Sequence, residues 1–278
     1  MPLPAGTARF FAEEIRATAA LPDGSETERV LDAFAAVPRE RHAGPGPWLL
    51  RSGNFSYGSR RTPDADPAHL YHNVLIALDE GRDLNIGEPA LWARHFARAQ
   101  IPQGGSILQV GTGTGYFTAI LAELAGPKGH VLATEIDAGL AAQAEIALAD
   151  VANATVRPGN GATDLSSDDG PFDLIVAFAG ITHPIGAWAD VLKPGGRILA
   201  ALTGTNWWGA MALIERDGDQ FSAMTLGRCG IFPCEGARDD TTAAVLERFW
   251  SDHKRLSGAK ILIEPFEDGA RYSLKPVA

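Results

Sequence analysis

The feature that most constrains this chain is the stretch SILQVGTGTGYFTAILAEL, residues 106–124. A short apolar run there passes through Gly111-Thr112-Gly113-Thr114-Gly115 into residues with helical spacing. Glycines at alternate positions suit a backbone that must turn tightly and let another group approach with no Cβ in the way. The surrounding sequence extends the pattern. Short β-branched or aliphatic runs at 106–110, 130–135, 154–158, 172–178 and 197–202 alternate with helical stretches at 115–126, 138–150 and 185–192. That alternation predicts an α/β fold: a doubly wound, mostly parallel sheet covered by helices on both faces. Beyond Gly204, GAMALIERDGDQFSAMTL sets a D-G-D turn (217–219) between two apolar runs, which predicts an antiparallel hairpin.

Outside this segment the chain is less regular. Residues 7–20 and 28–37 carry apolar positions at helical spacing, the second ending at Pro38, and a further helix is expected to begin near Pro89. Residues 39–66, rich in Gly, Pro, Arg and Ser, read as a loop-dominated segment. At the other end, 241–256 has helical periodicity and 259–265 reads as a strand. The expected organisation is a helical and loop-forming substrate-side region at 1–100, a cofactor-binding domain at 101–239, and a C-terminal extension at 240–278.

Composition excludes several function classes. With Lys+Arg 24 against Asp+Glu 34, the formal net charge is −10, a field that repels a phosphate backbone and argues against nucleic acid as partner. The sequence has no uninterrupted apolar run of about 18 residues, so no membrane span is expected, and the N-terminus lacks a secretory pattern; a cytoplasmic protein is the expectation. Cys229 and Cys234 have no second Cys/His pair to complete a metal site, and both read as reduced, structural thiols.

The chemistry is carried by residues beyond the glycine turn. Glu135 ends the next apolar run, 135 − 111 = 24 positions on, where a carboxylate can take both hydroxyls of a ribose. A dinucleotide and S-adenosyl-L-methionine both satisfy that pairing. The dinucleotide fingerprint, however, wants G-x-G-x-x-G, and position 116 is Tyr; the G-x-G-x-G form is the one used by S-adenosylmethionine enzymes. Where a third strand should end, Asn160 lies between Gly159 and Gly161, and its amide is a candidate for the adenine edge.

Collinear stretches then resemble the protein-L-isoaspartate O-methyltransferase family, over roughly Glu28 to Arg238. They are VLDAFAAVPRERHAGPG (30–46), YHNVLIALDEGRDLNIGEP (71–89), the glycine turn, the G-N-G turn, FDLIVAFAGITHPIGAWADVLKPGGRIL (172–199) and FPCEGARD (232–239). The resemblance implies a Rossmann-like class I methyltransferase fold and methylation of a carboxylate in an isoaspartyl or aspartyl protein or peptide. It also implies that Gln109, Gly111, Thr112, Gly113, Thr114, Gly115, Glu135, Asn160 and Gly161 hold the cofactor. There are departures. Where the family has a Ser or Thr shortly before a Gln/Ala-Pro pair, this chain has Asn85-Ile86-Gly87-Glu88-Pro89 and no hydroxyl; Gln109 and Asn160 stand where the family has acids.

Transfer of a methyl group from a sulfonium needs positioning and exclusion of water more than proton chemistry. A carboxylate acceptor is ionised at neutral pH and needs no general base. On that basis Asn85, with the Gly87 amide, is the candidate for the substrate carboxylate, and Tyr71 either closes over the substrate or anchors its segment in the core. His183, after the fourth parallel strand, and His72 are the candidate bases if the acceptor is instead a hydroxyl or amine of a small molecule, the alternative reading. Trp207 and Trp208 are expected in the core and Arg60-Arg61 in a solvated loop.

Overall fold

The computed structural model describes residues 3–53, 58–217, 220–252, 257–266 and 269–274. Helix α1 (Thr7–Ala19) buries Phe11, Ala12, Ile15 and Ala19. Helix α2 (Ser25–Ala36) starts three residues earlier than its apolar spacing suggests, with Glu26 and Glu28 in its first turn, where the helix dipole favours acids. The segment expected to be loop is instead partly ordered into strands β1 (Leu49–Arg51) and β2 (Ser59–Arg61). With β3 (Leu75–Asp79) and β4 (Leu84–Ile86) they make a four-stranded antiparallel sheet in the order β2-β1-β3-β4. Arg60 and Arg61 stand exposed on β2, as a solvated pair should, with Arg61 bonded to Glu80. Helix α3 (Pro89–Ala99) then opens with Pro at its first position, where the missing N–H costs nothing.

The main sheet comes next in the chain. Strand β5 (Ser106–Val110) leads through the glycine turn into α4 (Tyr116–Ala125), β6 (His130–Glu135) into α5 (Ala138–Ala147), and β7 (Ala154–Pro158) into β8 (Phe172–Ile181). After α6 (Gly186–Val191) and β9 (Leu192–Thr203) come β10 (Trp208–Asp217) and β11 (Gln220–Gly230), then α7 (Asp240–Asp252), β12 (Lys260–Phe266) and β13 (Gly269–Leu274). The order is β13-β12-β11-β10-β9-β8-β5-β6-β7: five parallel strands from β9 to β7, and four antiparallel ones beyond β9. The expected hairpin is β10–β11; residues 218–219 of its D-G-D turn lie outside the described residues, as do 253–256 at the end of the C-terminal helical stretch. Strands β12 and β13 continue the same sheet.

Strand alternation divides the core in two. Ile107, Val131, Leu174, Val176 and Leu199 face α1 to α5, whereas Leu108, Val110, Ile175 and Ile198 face α6 and α7. Doubly wound sheets bind ligands beyond the carboxyl ends of their parallel strands, where the strand order reverses. Here that point lies between β5 and β8. Among the described residues no helix is long and apolar enough to cross a membrane.

Candidate active site

A cavity of about 650 Å³ opens at that switch point. On one side it is bordered by Gly111 to Thr114, Glu135 to Asp137, Asn160 and Gly161, and on the other by Asn85 to Glu88 and by the loop residues after β9.

The turn is built from the backbone. Gly111 N–H and Thr112 N–H both donate to Thr134 O at 3.0 Å, and Gly115 N–H closes onto Thr112 O at 2.9 Å. Gly115 caps α4 with φ +85°, and a Cβ there would lie 2.8 Å from Leu148 Cδ1, so only glycine fits. From behind, His42 Nδ1–H donates to Thr114 O at 2.8 Å; burial lowers its pKa and keeps the ring neutral.

Glu135 closes the facing side. Its Oε2 accepts Gly113 N–H at 2.7 Å and its Oε1 accepts Asp137 N–H at 3.0 Å. Burial raises its pKa, opposed by these two backbone bonds. Asp137 caps α5 by accepting from Gly139 N–H and Leu140 N–H, both at 2.9 Å. The Arg82 guanidinium holds the Asp137 carboxyl below the usual range, and Arg82 also bonds Asp79 within its own turn. The β3–β4 hairpin is thereby tied to the cofactor side.

At the G-N-G turn, Asn160 Oδ1 accepts Ala162 N–H at 2.8 Å, while its Nδ2 has no acceptor among the described residues. Asn160 itself borders the cavity. Gly161 is required by close packing: a Cβ would meet Thr134 Oγ1 at 2.2 Å.

Other expected residues lie elsewhere. Gln109 does not border the cavity; it is fully buried beneath the turn, with Nε2–H donating to Gly111 O at 3.3 Å. Tyr71 does not border it either, which corrects its assignment to the catalytic group. It is 5% exposed, donates to Glu40 Oε2 at 2.7 Å and packs edge-on against Phe11. The fully buried Arg39 pins its segment by donating to the carbonyls of Leu70, His72 and Val74. His183 is likewise outside the lining, with Nδ1 at 2.9 Å from Thr182 Oγ1 and its pKa lowered by burial. His72 is solvent-exposed beside Glu14. Asn85 borders the cavity from β4, its Nδ2–H donating to Asp83 O at 3.1 Å.

The opposite correction applies to Trp207 and Trp208. Expected in the core, they are 50% and 48% exposed and border the cavity. Trp207 adopts φ +64° in the tight β9–β10 connection, which breaks the in-and-out alternation of a strand. Cys229 and Cys234 are free and buried at the cavity wall, their thiols pushed up to about 12 by burial. Not singled out from the sequence is an aromatic wall. Trp92 stacks on Phe178 with centroids 3.8 Å apart and planes at 24°, and Phe117 lies 5.6 Å and 5.0 Å from them.

The residues fit S-adenosylmethionine. Glu135 borders the cavity with each carboxylate oxygen accepting a single backbone N–H, which leaves lone pairs for the two hydroxyls of a ribose. The volume lies within the range of roughly 300–1,000 Å³ usual for cofactor sites.

Comparison with known proteins agrees. The family model for protein-L-isoaspartate(D-aspartate) O-methyltransferase matches residues 63–234. A Koribacter versatilis protein-L-isoaspartate O-methyltransferase is 31% identical over 77% of this chain and 85% of its own. One from Yersinia enterocolitica is 30% identical over 73% and 86%. Among solved structures, a protein-L-isoaspartate O-methyltransferase aligns with TM-score 0.65 at 16% identity, covering 97% of this chain and 88% of the other. A putative one from Plasmodium falciparum, in complex with S-adenosyl-L-homocysteine, gives 0.63 at 15% identity, covering 82% and 98%. Fold and site thus define a Rossmann-like, S-adenosylmethionine-dependent methyltransferase. More particularly, the chain belongs to the protein-L-isoaspartate(D-aspartate) O-methyltransferase family.

Proposed function

We propose that this protein methylates the free α-carboxylate of an L-isoaspartyl residue in a protein or peptide. The observation that carries the reading, beyond family membership, is the cavity's lining: among the described residues no histidine borders it. Its carboxylates are largely engaged, Glu135 on backbone amides, Asp137 on Arg82, Asp83 on Arg51 and Glu88 on Asn73. A cavity so furnished suits an acceptor that arrives already ionised.

S-adenosylmethionine supplies an electrophilic methyl group on a sulfonium. A carboxylate oxygen forms the new O–C bond as the C–S bond breaks, its electron pair going to sulfur; no proton is gained or lost. The protein's work is placement. Glu135 would hold the ribose hydroxyls, Asn160 would offer its amide to the adenine edge, and the glycine turn would admit the remainder without a Cβ in its way. Phe117, Phe178 and Trp92 make the apolar wall that keeps water from the reacting pair.

The test is incubation with S-adenosylmethionine and an isoaspartyl peptide, following methanol released from the ester. Turnover is expected, with a kcat that is flat from about pH 6 to about pH 9 because the acceptor titrates well below that window. No turnover with such peptides despite cofactor binding, or transfer to a hydroxyl or amine of a small molecule instead, overturns the reading.

A further inference from the structure

The chain has six tryptophans, and four are buried or half-buried. Three of those four donate to a carbonyl: Trp48 Nε1–H to Gly44 O at 3.0 Å, Trp188 to Gly161 O at 2.8 Å, and Trp250 to Leu202 O at 3.0 Å. The fourth is Trp92. It is 2% exposed, borders the cavity, and its Nε1–H has no acceptor among the described residues. Buried indole N–H groups ordinarily find a partner; Trp92 Nε1 is not enclosed as the orphans Thr114 Oγ1 and Tyr116 OH are, and keeps some accessible surface.

Nor can this ring turn to seek one. It is stacked on Phe178 and packed against Phe117 and Phe96, with centroids at 3.8, 5.6 and 5.7 Å. Its polar edge faces Gly87, also in the cavity wall, where an added Cβ would come within 2.9 Å of Nε1 and 3.3 Å of Cδ1. Gly87 is not in the left-handed region, so its backbone conformation does not demand glycine. What a side chain there would change is the cover over the indole N–H. The neighbouring residues 85–89 carry no hydroxyl, and one of the two N–H groups of the Asn85 amide is engaged by Asp83 O.

We propose that Trp92 Nε1–H, left uncovered by Gly87, is the donor that holds one oxygen of the acceptor carboxylate. The inference rests on the carboxylate reading above and names the residue that positions the acceptor. A neutral donor suits the task. It fixes the carboxylate's orientation through one oxygen while leaving the charge, and the lone pair of the other oxygen, available for attack; the stacked ring adds a fixed geometry that a flexible side chain lacks.

Heteronuclear NMR on isotopically labelled protein saturated with S-adenosylhomocysteine tests this directly, because Trp92→Phe identifies its indole resonance by deletion. An isoaspartyl peptide is expected to move that resonance downfield, and the same peptide with its α-carboxylate converted to a carboxamide to move it much less, because a neutral amide oxygen is the weaker acceptor. Trp92→Phe, which keeps the stacked ring, is expected to weaken binding of the carboxylate peptide about tenfold. Its affinity for S-adenosylhomocysteine should stay unchanged, and that for the carboxamide peptide should fall by much less than for the carboxylate peptide. Gly87→Ala, which leaves the indole and covers it, should reproduce the loss if Trp92→Phe does not fold. A resonance that stays put while the peptide binds and is methylated overturns the inference and leaves the reaction standing. One that responds to S-adenosylhomocysteine and not to peptide assigns the donor to the cofactor and overturns it too. A peptide that neither binds nor is methylated overturns the reaction and, with it, this assignment.

Discussion

His95 lies on the buried face of α3, 1% exposed, with neither ring nitrogen bonded to anything described. Burial, reinforced by the flanking charges of Arg94 and Arg98, pushes its pKa down to about 3 from an ordinary 6.5. The folded protein therefore keeps the ring neutral where the unfolded chain already binds a proton. Stability is full above the unfolded value and is lost as pH falls through it and on toward the folded one. Between about pH 8 and about pH 5 the unfolded chain's protonation favours unfolding by about 2 kcal/mol through this one residue. His95→Leu, close in volume and with nothing to protonate, should abolish that share. It should also be the more stable protein at about pH 8, by about 1 kcal/mol or more, because two unsatisfied nitrogens are gone. Urea unfolding of both proteins at the two pH values measures it; His42 and His183, also lowered by burial, contribute equally to both and cancel in the difference. If the acid-side loss is the same in His95→Leu as in the parent, the ring is not the buried neutral group described, and the reasoning fails.

Four further outcomes are expected at the site and around it. Glu135→Ala removes the acceptor of Gly113 N–H as well as the proposed ribose ligand, and should weaken S-adenosylhomocysteine binding about a hundredfold by calorimetry, with secondary structure retained. Gly161→Ala drives a Cβ to 2.2 Å from Thr134 Oγ1; it should cost about 1–3 kcal/mol in thermal or urea unfolding and impair cofactor binding as the turn shifts. Tyr71→Phe should cost about 1–2 kcal/mol of stability, because Glu40 loses its buried donor, yet leave kcat/KM for an isoaspartyl peptide unchanged. His183→Ala should also leave kcat/KM unchanged, where a drop of about a hundredfold or more would mark it as a general base.

How far the sequence disclosed this arrangement depends on the physics of each element. Strands of a parallel sheet covered on both faces read as unbroken apolar runs, so FDLIVAF and SILQV were visible by eye. Strands β1 and β2, three residues each, are too short to show a period of two, and their region read as loop. The glycine turn and Glu135 were legible because backbone conformation and one carboxylate define that site locally. Tyr71 was not, since an aromatic hydroxyl suits a substrate lid and a buried anchor equally; the choice is made by Glu40 and Arg39, both remote in sequence. Trp207 and Trp208 misled because the expected alternation holds only in a strand, and Trp207 itself turns left-handed just before β10 begins. Trp92 looked like one more apolar position of α3, and its missing acceptor depends on where Gly87 lies in space.

The distribution of buried polar groups also bears on mechanism. Arg39, His42 and Tyr71 lie deep in the N-terminal half, and each bonds a carbonyl or a carboxylate that shapes the chain, not a group at the cavity's open face. Arg39 fixes residues 70–74, His42 supports the glycine turn from behind, and Arg82 ties the β3–β4 hairpin to Asp137 beside Glu135. The N-terminal side of the cavity and the glycine-turn side are in this way joined by polar contacts at their edges. The cavity wall between them is left to Phe117, Phe178 and Trp92. A reaction that moved a proton would need a titratable group in that wall, held near neutrality. One that moves a methyl group between two fixed partners needs rigid edges and a dry middle, which is the division these residues make.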